Sequence, residues 1–219
     1  MASATCYALR LHASAAPPQG GLTQALAPMT VSDPNEELTE RASELTRYHE
    51  IWWQLVNREL EPVYRPVIEA YESYFETTTH ALLQGFSVVA YQLFERRRDS
   101  YSIHWLLRHL EKDQPDCVAE IRAEMDRHKP VLVKVFSLRN GVYAHRSISA
   151  SPESIFSAAG ITPNEMRSVV TLVQQSVVRL VAANGGREAT ELRELFWSHA
   201  TRARNETEAL LVRLHPDRR

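Results

Sequence analysis

The 219-residue sequence predicts an all-α fold, an antiparallel helical bundle with an additional helix at its C-terminal end. Three observations carry this expectation. Apolar residues recur every three or four positions over most of the chain beyond residue 33, the spacing of one helical face. Combinations of a capping oxygen, Pro and Glu stand at the heads of such stretches. The one β-rich run, Val131 to Leu138, has no second run to pair with, and its Leu132, Val135 and Phe136 fit a helical face equally well.

Residues 1–32 stand apart from the rest. They hold no Asp or Glu, a single Arg10 and the run Ala15-Ala16-Pro17-Pro18-Gln19-Gly20-Gly21, and they follow no helical or strand period. A disordered extension is expected there. A transit peptide would be richer in Arg, and a secretory signal needs a continuous apolar stretch. Met29, just ahead of the first helix signal, is the favoured start of the protein.

Asp33-Pro34-Asn35-Glu36 reads as a capping box, opening a helix expected to run to about Leu60, where Pro62 and Pro66 end it. In the second helix Tyr71, Phe75, Thr78, Leu82, Phe86, Val89 and Leu93 form one stripe, and Arg96-Arg97-Arg98 close it. Asp99-Ser100 is expected to cap a shorter helix carrying Ile103, Leu106, Leu107 and Leu110. Asp113 to Lys129 forms another, with Ile121 and Met125 on one face, until Pro130 kinks or breaks the chain. After a loop around Ser147–Pro152 and a short turn ending at Gly160, Thr162-Pro163-Asn164-Glu165 is the clearest capping box in the sequence. Its helix buries Val169, Val173, Val177, Leu180 and Val181 and stops at Asn184-Gly185-Gly186. A final amphipathic helix, from about Arg187 to Leu214, either packs back on the bundle or serves a partner. The expected organisation is therefore an extension over 1–32, a bundle over 33–185 and a C-terminal helix within 186–219.

Composition excludes several classes. With 44% hydrophobic and 24% charged residues, the chain is neither collagen-like nor disordered overall, and no stretch approaches the ~18–20 apolar residues of a spanning helix. Cys6 and Cys117 are too few for a disulfide framework or a thiolate zinc site, so a reducing, cytoplasmic setting is expected. A net charge of −2 exerts no global pull on a polyanion, so a local patch would have to hold one. Basic residues are arginines except Lys112, Lys129 and Lys134, which fits a GC-rich genome as well as phosphate binding. Neither Gly-Gly pair makes a phosphate loop, and His-Glu-x-x-His and Gly-x-Ser-x-Gly are missing. His104 and His109, five apart, project from different sides of a helix and make poor joint ligands.

What remains is Leu138-Arg139-Asn140-Gly141-Val142-Tyr143-Ala144-His145-Arg146. It joins a permanent cation, a hydrogen-bonding amide and an imidazole that trades a proton near neutral pH. Those three suit cleavage of RNA. A base takes the 2′-hydroxyl proton, an acid protonates the departing 5′-oxygen, and a cation offsets charge growing on the phosphoryl oxygens. None of these roles requires a metal. At about 100° per residue, Arg139 and His145 lie about 120° apart on an ideal helix. Their convergence needs a distortion, for which Gly141 is a plausible place, or a second copy of the motif across a twofold axis.

The nonapeptide resembles the signature of the HEPN superfamily, helical proteins with an Arg, a polar residue and a His a few positions beyond. The order of helices, and Arg96-Arg97-Arg98-Asp99-Ser100-Tyr101-Ser102-Ile103 leading into Leu106-Leu107, is most similar to the abortive-infection (AbiU-like) branch. The resemblance covers roughly residues 35–185. It implies a dimeric, metal-independent endoribonuclease acting in antiphage defence or as a toxin, without a cofactor. Arg139 and His145 would be catalytic, with Asn140 in support. RNA would be the substrate, a homodimer the working form, and an antitoxin or regulatory protein a further partner, with no membrane involved.

Spacing alone carries no weight, because Arg is followed by His at six or seven positions five times in the chain; the nearest rival is Arg98-Asp99…His104. Only the Arg139 pair has Asn in second place and an apolar element ahead of it. Candidate RNA contacts are Tyr143, Arg146, Arg97 and Arg98. Each residue also has an ordinary use: His145 near a helix end, Arg139 in an ion pair with a Glu, Asn140 in a turn, Tyr143 in the core, and the arginines as solvated charges. A non-catalytic dimerisation or interaction module is the alternative function, and a small-molecule-binding regulator a third. No helix-turn-helix or strongly basic helix favours DNA.

Overall fold

The computed structural model describes residues 33–57, 61–144 and 159–215. The expectations for residues 1–32 and for the loop around Ser147–Pro152 lie outside them. The described residues form seven α-helices and one π-helical segment, with no strand among them. The helices are α1 (Pro34–Val56), α2 (Glu61–Ala70), α3 (Glu72–Leu93), α4 (Ile103–Leu110), α5 (Pro115–Leu138), α6 (Pro163–Ala183) and α7 (Ala189–Leu214). The π-helical segment, Arg139–Ala144, continues α5 directly.

Cross-helix contacts give the directions. Asn184 donates to Asn35 and Gln174 to Thr46, so α1 and α6 run antiparallel. Arg41 reaches the Tyr101 carbonyl while Tyr48 meets Gly85, which sets α3 antiparallel to α1. Arg179 pairs with Glu120 and Lys134 with Glu165, so α5 and α6 are also antiparallel. Arg204 of α7 pairs with Glu50, which puts the last helix back along α1. This is the packing of an up-and-down bundle, each amphipathic helix burying its stripe against the others.

Most expected stripes form the core. Phe75, Leu82, Phe86, Val89 and Leu93 of α3 are buried, as are Ile103, Leu106, Leu107 and Leu110 of α4. Val169, Val173, Val177, Leu180 and Val181 of α6 join them at 0–1% exposure. Trp52 is buried, while Trp53 is half-buried at the edge of the core. The Thr162 capping box is complete: Glu165 N–H donates to Thr162 Oγ1 and Thr162 N–H to Glu165. Gly185 follows the Asn184 cap at φ 71°, the left-handed turn that suits glycine.

Several boundaries differ from expectation. α1 ends at Val56 rather than Leu60, and the Asp33 side chain accepts from Asn35 N–H without the reciprocal bond of a box. Pro62 and Pro66 lie within α2 instead of ending a helix. Pro62 falls in the first turn, where amides have no helical acceptor, and Pro66 is exposed. Tyr64 and Val67 hold α2 by packing with Phe75 and Leu211 in a small second core. α4 is capped by Ser102 rather than Asp99-Ser100: the Ser102 hydroxyl accepts from Trp105 N–H, while Asp99 pairs with Arg97. Pro130 does not break α5; it sits on the exposed face, where water can bond the carbonyl freed at Asp126. No described helix is long and apolar enough to cross a membrane.

α1 and α3 approach closely at Gly85, where a Cβ would stand 2.6 Å from the Tyr48 ring. Tyr48 is itself tied to Glu44 by a 3.0 Å hydrogen bond. Gly85→Val is expected to cost about 1–3 kcal/mol through overpacking, measured by urea unfolding. Unchanged stability would show that the two helices separate without penalty.

Candidate active site

The motif region begins where α5 ends. Val118, Ile121, Met125, Leu132, Val135 and Leu138 bury one face of α5, so its last turn is fixed against the core and Arg139 leaves it in a defined direction. There the backbone changes from α to π pitch over Arg139–Ala144, which includes Gly141. This is a distortion of the kind the spacing of Arg139 and His145 calls for. Single π turns inside helices are rare and concentrate at functional sites.

Arg139 is half-exposed and lies 4.3 Å over the ring of Tyr91, a residue of α3. Its Nη1 donates to Asn140 Oδ1 at 2.9 Å. Tyr91 stands edge-on to Phe136 of α5 at 5.5 Å between centroids, and Phe94 also meets Phe136, at 6.3 Å. The guanidinium thus rests on an aromatic platform built from α3 and α5. No carboxylate pairs with Arg139 among the described residues; its contacts there are with Tyr91 and Asn140. A cation over a tyrosine face keeps its full charge, and its remaining donors are available to an anion.

Arg97 and Arg98 lie on the segment between α3 and α4, both exposed. Three bonds fix this segment: Ser102 Oγ donates to the Glu95 carbonyl, Arg108 to the Arg97 carbonyl, and Arg41 to the Tyr101 carbonyl. The Arg97 fork is held by both oxygens of Asp99, at 3.0 and 2.7 Å. That hydrogen-bonded pairing raises the Arg97 pKa and lowers that of Asp99, so the Arg97 charge is met by its own neighbour. Asn140 is exposed beside Arg139, and Tyr143 lies within the π-helical segment. His145 and Arg146 lie outside the described residues.

The histidine of the rival pair lies among other cations. His104 faces cations: burial first, then Arg96, Arg108 and Arg122, push its pKa down to about 4. It lines a cavity of about 470 Å³ with Arg96, Arg122, Lys129 and Phe136. A group with that pKa is neutral near pH 7 and a weak base, unsuited to either proton transfer. It also bears on stability. The folded pKa lies below the unfolded value of 6.5, so the neutral ring contributes stability that is intact above about pH 6.5 and lost as pH falls towards 4. His104→Gln is expected to flatten the loss between pH 6.5 and 4.5 in urea unfolding. An identical slope in the variant would assign that acid sensitivity elsewhere.

Tyr91 is the residue that sequence reasoning missed. It lies at the partly exposed edge of the α3 stripe, 48 positions from Arg139, and no local pattern marks it.

The described bundle presents Arg139 and Asn140 from the π-helical end of α5. The AbiU2 family model (HEPN) matches residues 35–183, and the chain belongs to this family. The match runs from the start of α1 to the end of α6. No match was found among curated proteins or among solved structures.

Proposed function

We propose that this chain is a metal-independent endoribonuclease of an abortive-infection or toxin–antitoxin system. The observation that carries the proposal is the Arg139 guanidinium, raised on Tyr91 at a π-helical helix end and without a neutralising carboxylate among the described residues. Family membership supports the defence role, and an antitoxin or regulatory protein is the corresponding partner.

In this reading the 2′-oxygen of the substrate attacks the neighbouring phosphorus as a base accepts its proton. The bond from phosphorus to the 5′-oxygen breaks, and an acid protonates that oxygen as it leaves. The products are a 2′,3′-cyclic phosphate and a free 5′-hydroxyl. One imidazole cannot face both oxygens at once, so two copies of His145 across a homodimer groove serve as base and acid. Arg139 from each copy meets the non-bridging oxygens, where its planar fork gains strength as negative charge accumulates. Asn140 holds the fork in place. Tyr143 and Arg146 would contact the RNA beside them. Along the strand Arg98, exposed and unlike Arg97 not held by a carboxylate among the described residues, is the better placed of the two to meet a phosphate.

The test is cleavage of end-labelled RNA in excess chelator, comparing the wild type with His145→Ala and His104→Ala. Loss of cutting in the first variant and retention in the second is the expected pattern. Cleavage that survives His145→Ala would reject the assignment.

A further inference from the structure

Away from the motif, α1, α5, α6 and α7 enclose a cleft of about 1150 Å³. None of Leu138, Arg139, Asn140 and Gly141 is among the described residues that line it. Arg127, the last α5 residue on its wall, precedes Arg139 by about 18 Å of helix.

Its floor is polar where a bundle interior would be apolar. Thr46 and His49 are 1% exposed, Ser176 2% and Gln54 7%. Burying such groups is costly unless something satisfies them. Thr46 Oγ1 accepts from Gln174 at 2.9 Å, and His49 Nδ1 faces Glu50 Oε1 at 3.3 Å. His49 Nε2 is buried with no hydrogen-bond partner among the described residues. An orphaned ring nitrogen of this kind is a group that a ligand would satisfy.

The wall is cationic and aromatic. Its three acids are each occupied: Glu50 by Arg204, Glu120 by Arg179 and Glu124 by Arg127. Burial pushes the Glu50 carboxyl up, but hydrogen bonds from His49 and Arg204 outweigh it and hold the group ionised. Two cations are then in excess. Arg167 lies 4.7 Å over the Trp53 ring, and Arg193 is exposed on α7 without a carboxylate partner among the described residues. One helical turn beyond Arg193, Trp197 is 71% exposed, the most exposed large hydrophobic side chain described. An indole left in water at the mouth of a cleft is surface that a flat partner would cover.

We propose that this cleft binds a small organic anion bearing a flat aromatic ring, the ring against Trp197, the charge between Arg193 and Arg167, and a polar group reaching His49. Its volume and its few converging polar groups suit such a ligand. The site uses none of the residues assigned to RNA cleavage, so it stands or falls separately from that function.

The test is a fluorescence titration of the full chain with 8-anilinonaphthalene-1-sulfonate. Saturable binding of one probe per chain is expected, weakened at least tenfold in both Arg193→Glu and Trp197→Ala. Because both side chains are exposed, circular dichroism and thermal midpoints should match the wild type. Displacement of the probe by salicylate identifies a carboxylate site, and displacement by phenyl phosphate a phosphate site. Non-saturable binding, equal affinity in the variants, or displacement by neither competitor would overturn the proposal.

Discussion

Replacing Arg139 with alanine is expected to lower chelator-resistant RNA cleavage by about 10²–10³-fold, the usual consequence of removing one stabiliser of transition-state charge. The fold should be nearly indifferent. The side chain is half-exposed, and its contact with Tyr91 is of a kind worth only about 0.5–1 kcal/mol at such sites. Arg139→Lys separates charge from shape. It keeps the cation but loses the planar fork that bonds Asn140 and could span two phosphoryl oxygens. An intermediate rate is expected from lysine. Cleavage kinetics beside thermal unfolding check both points, and an alanine variant with wild-type rates would remove Arg139 from the chemistry.

The second large effect is on stability. Phe86 of α3 is 2% exposed, within the main core, with its ring 6.4 Å from that of His49 on α1. Removing a buried phenyl group where neighbours relax only partly costs about 3–5 kcal/mol. Phe86→Ala is therefore expected to shift the urea midpoint strongly downward. Because α3 also carries Tyr91, cleavage in this variant should be compared only under conditions where it remains folded. A loss below about 1 kcal/mol would mean that the core at the α1–α3 contact closes over the gap.

Much of the bundle could be read from local chemistry. The reciprocal bonds at Thr162 and Glu165, the buried stripes of α3, α4 and α6, and the turn at Gly185 all depend on residues within a few positions of one another. Failures came where distant contacts decide. Pro62 and Pro66 look like terminators, yet Tyr64 and Val67 find Phe75 and Leu211 and hold a helix around them. Asp99-Ser100 looks like the cap of α4, yet Ser102 takes that place, its hydroxyl also held by the Glu95 carbonyl seven residues back.

The site follows the same rule. Arg139, Asn140 and the distortion spanning Gly141 were legible because they are adjacent in sequence. Tyr91 was not, since a cation–π contact between α3 and α5 exists only once the bundle is built. Arg97 was read as a phosphate contact from its charge alone; in the structure Asp99 grips it with both oxygens. The polar floor at Thr46, His49 and Gln54 also went unread, because single polar residues in an apolar stripe carry no sign of the cavity they share.

The most direct measurement is the chemistry of the cut ends. RNA incubated with the purified chain in excess chelator should yield fragments ending in a 2′,3′-cyclic phosphate, each followed by a fragment beginning with a 5′-hydroxyl. Fragments with 3′-hydroxyl and 5′-phosphate ends, or cutting that stops when divalent ions are removed, would mean that an external water or a metal does the work assigned here to the 2′-oxygen, His145 and Arg139.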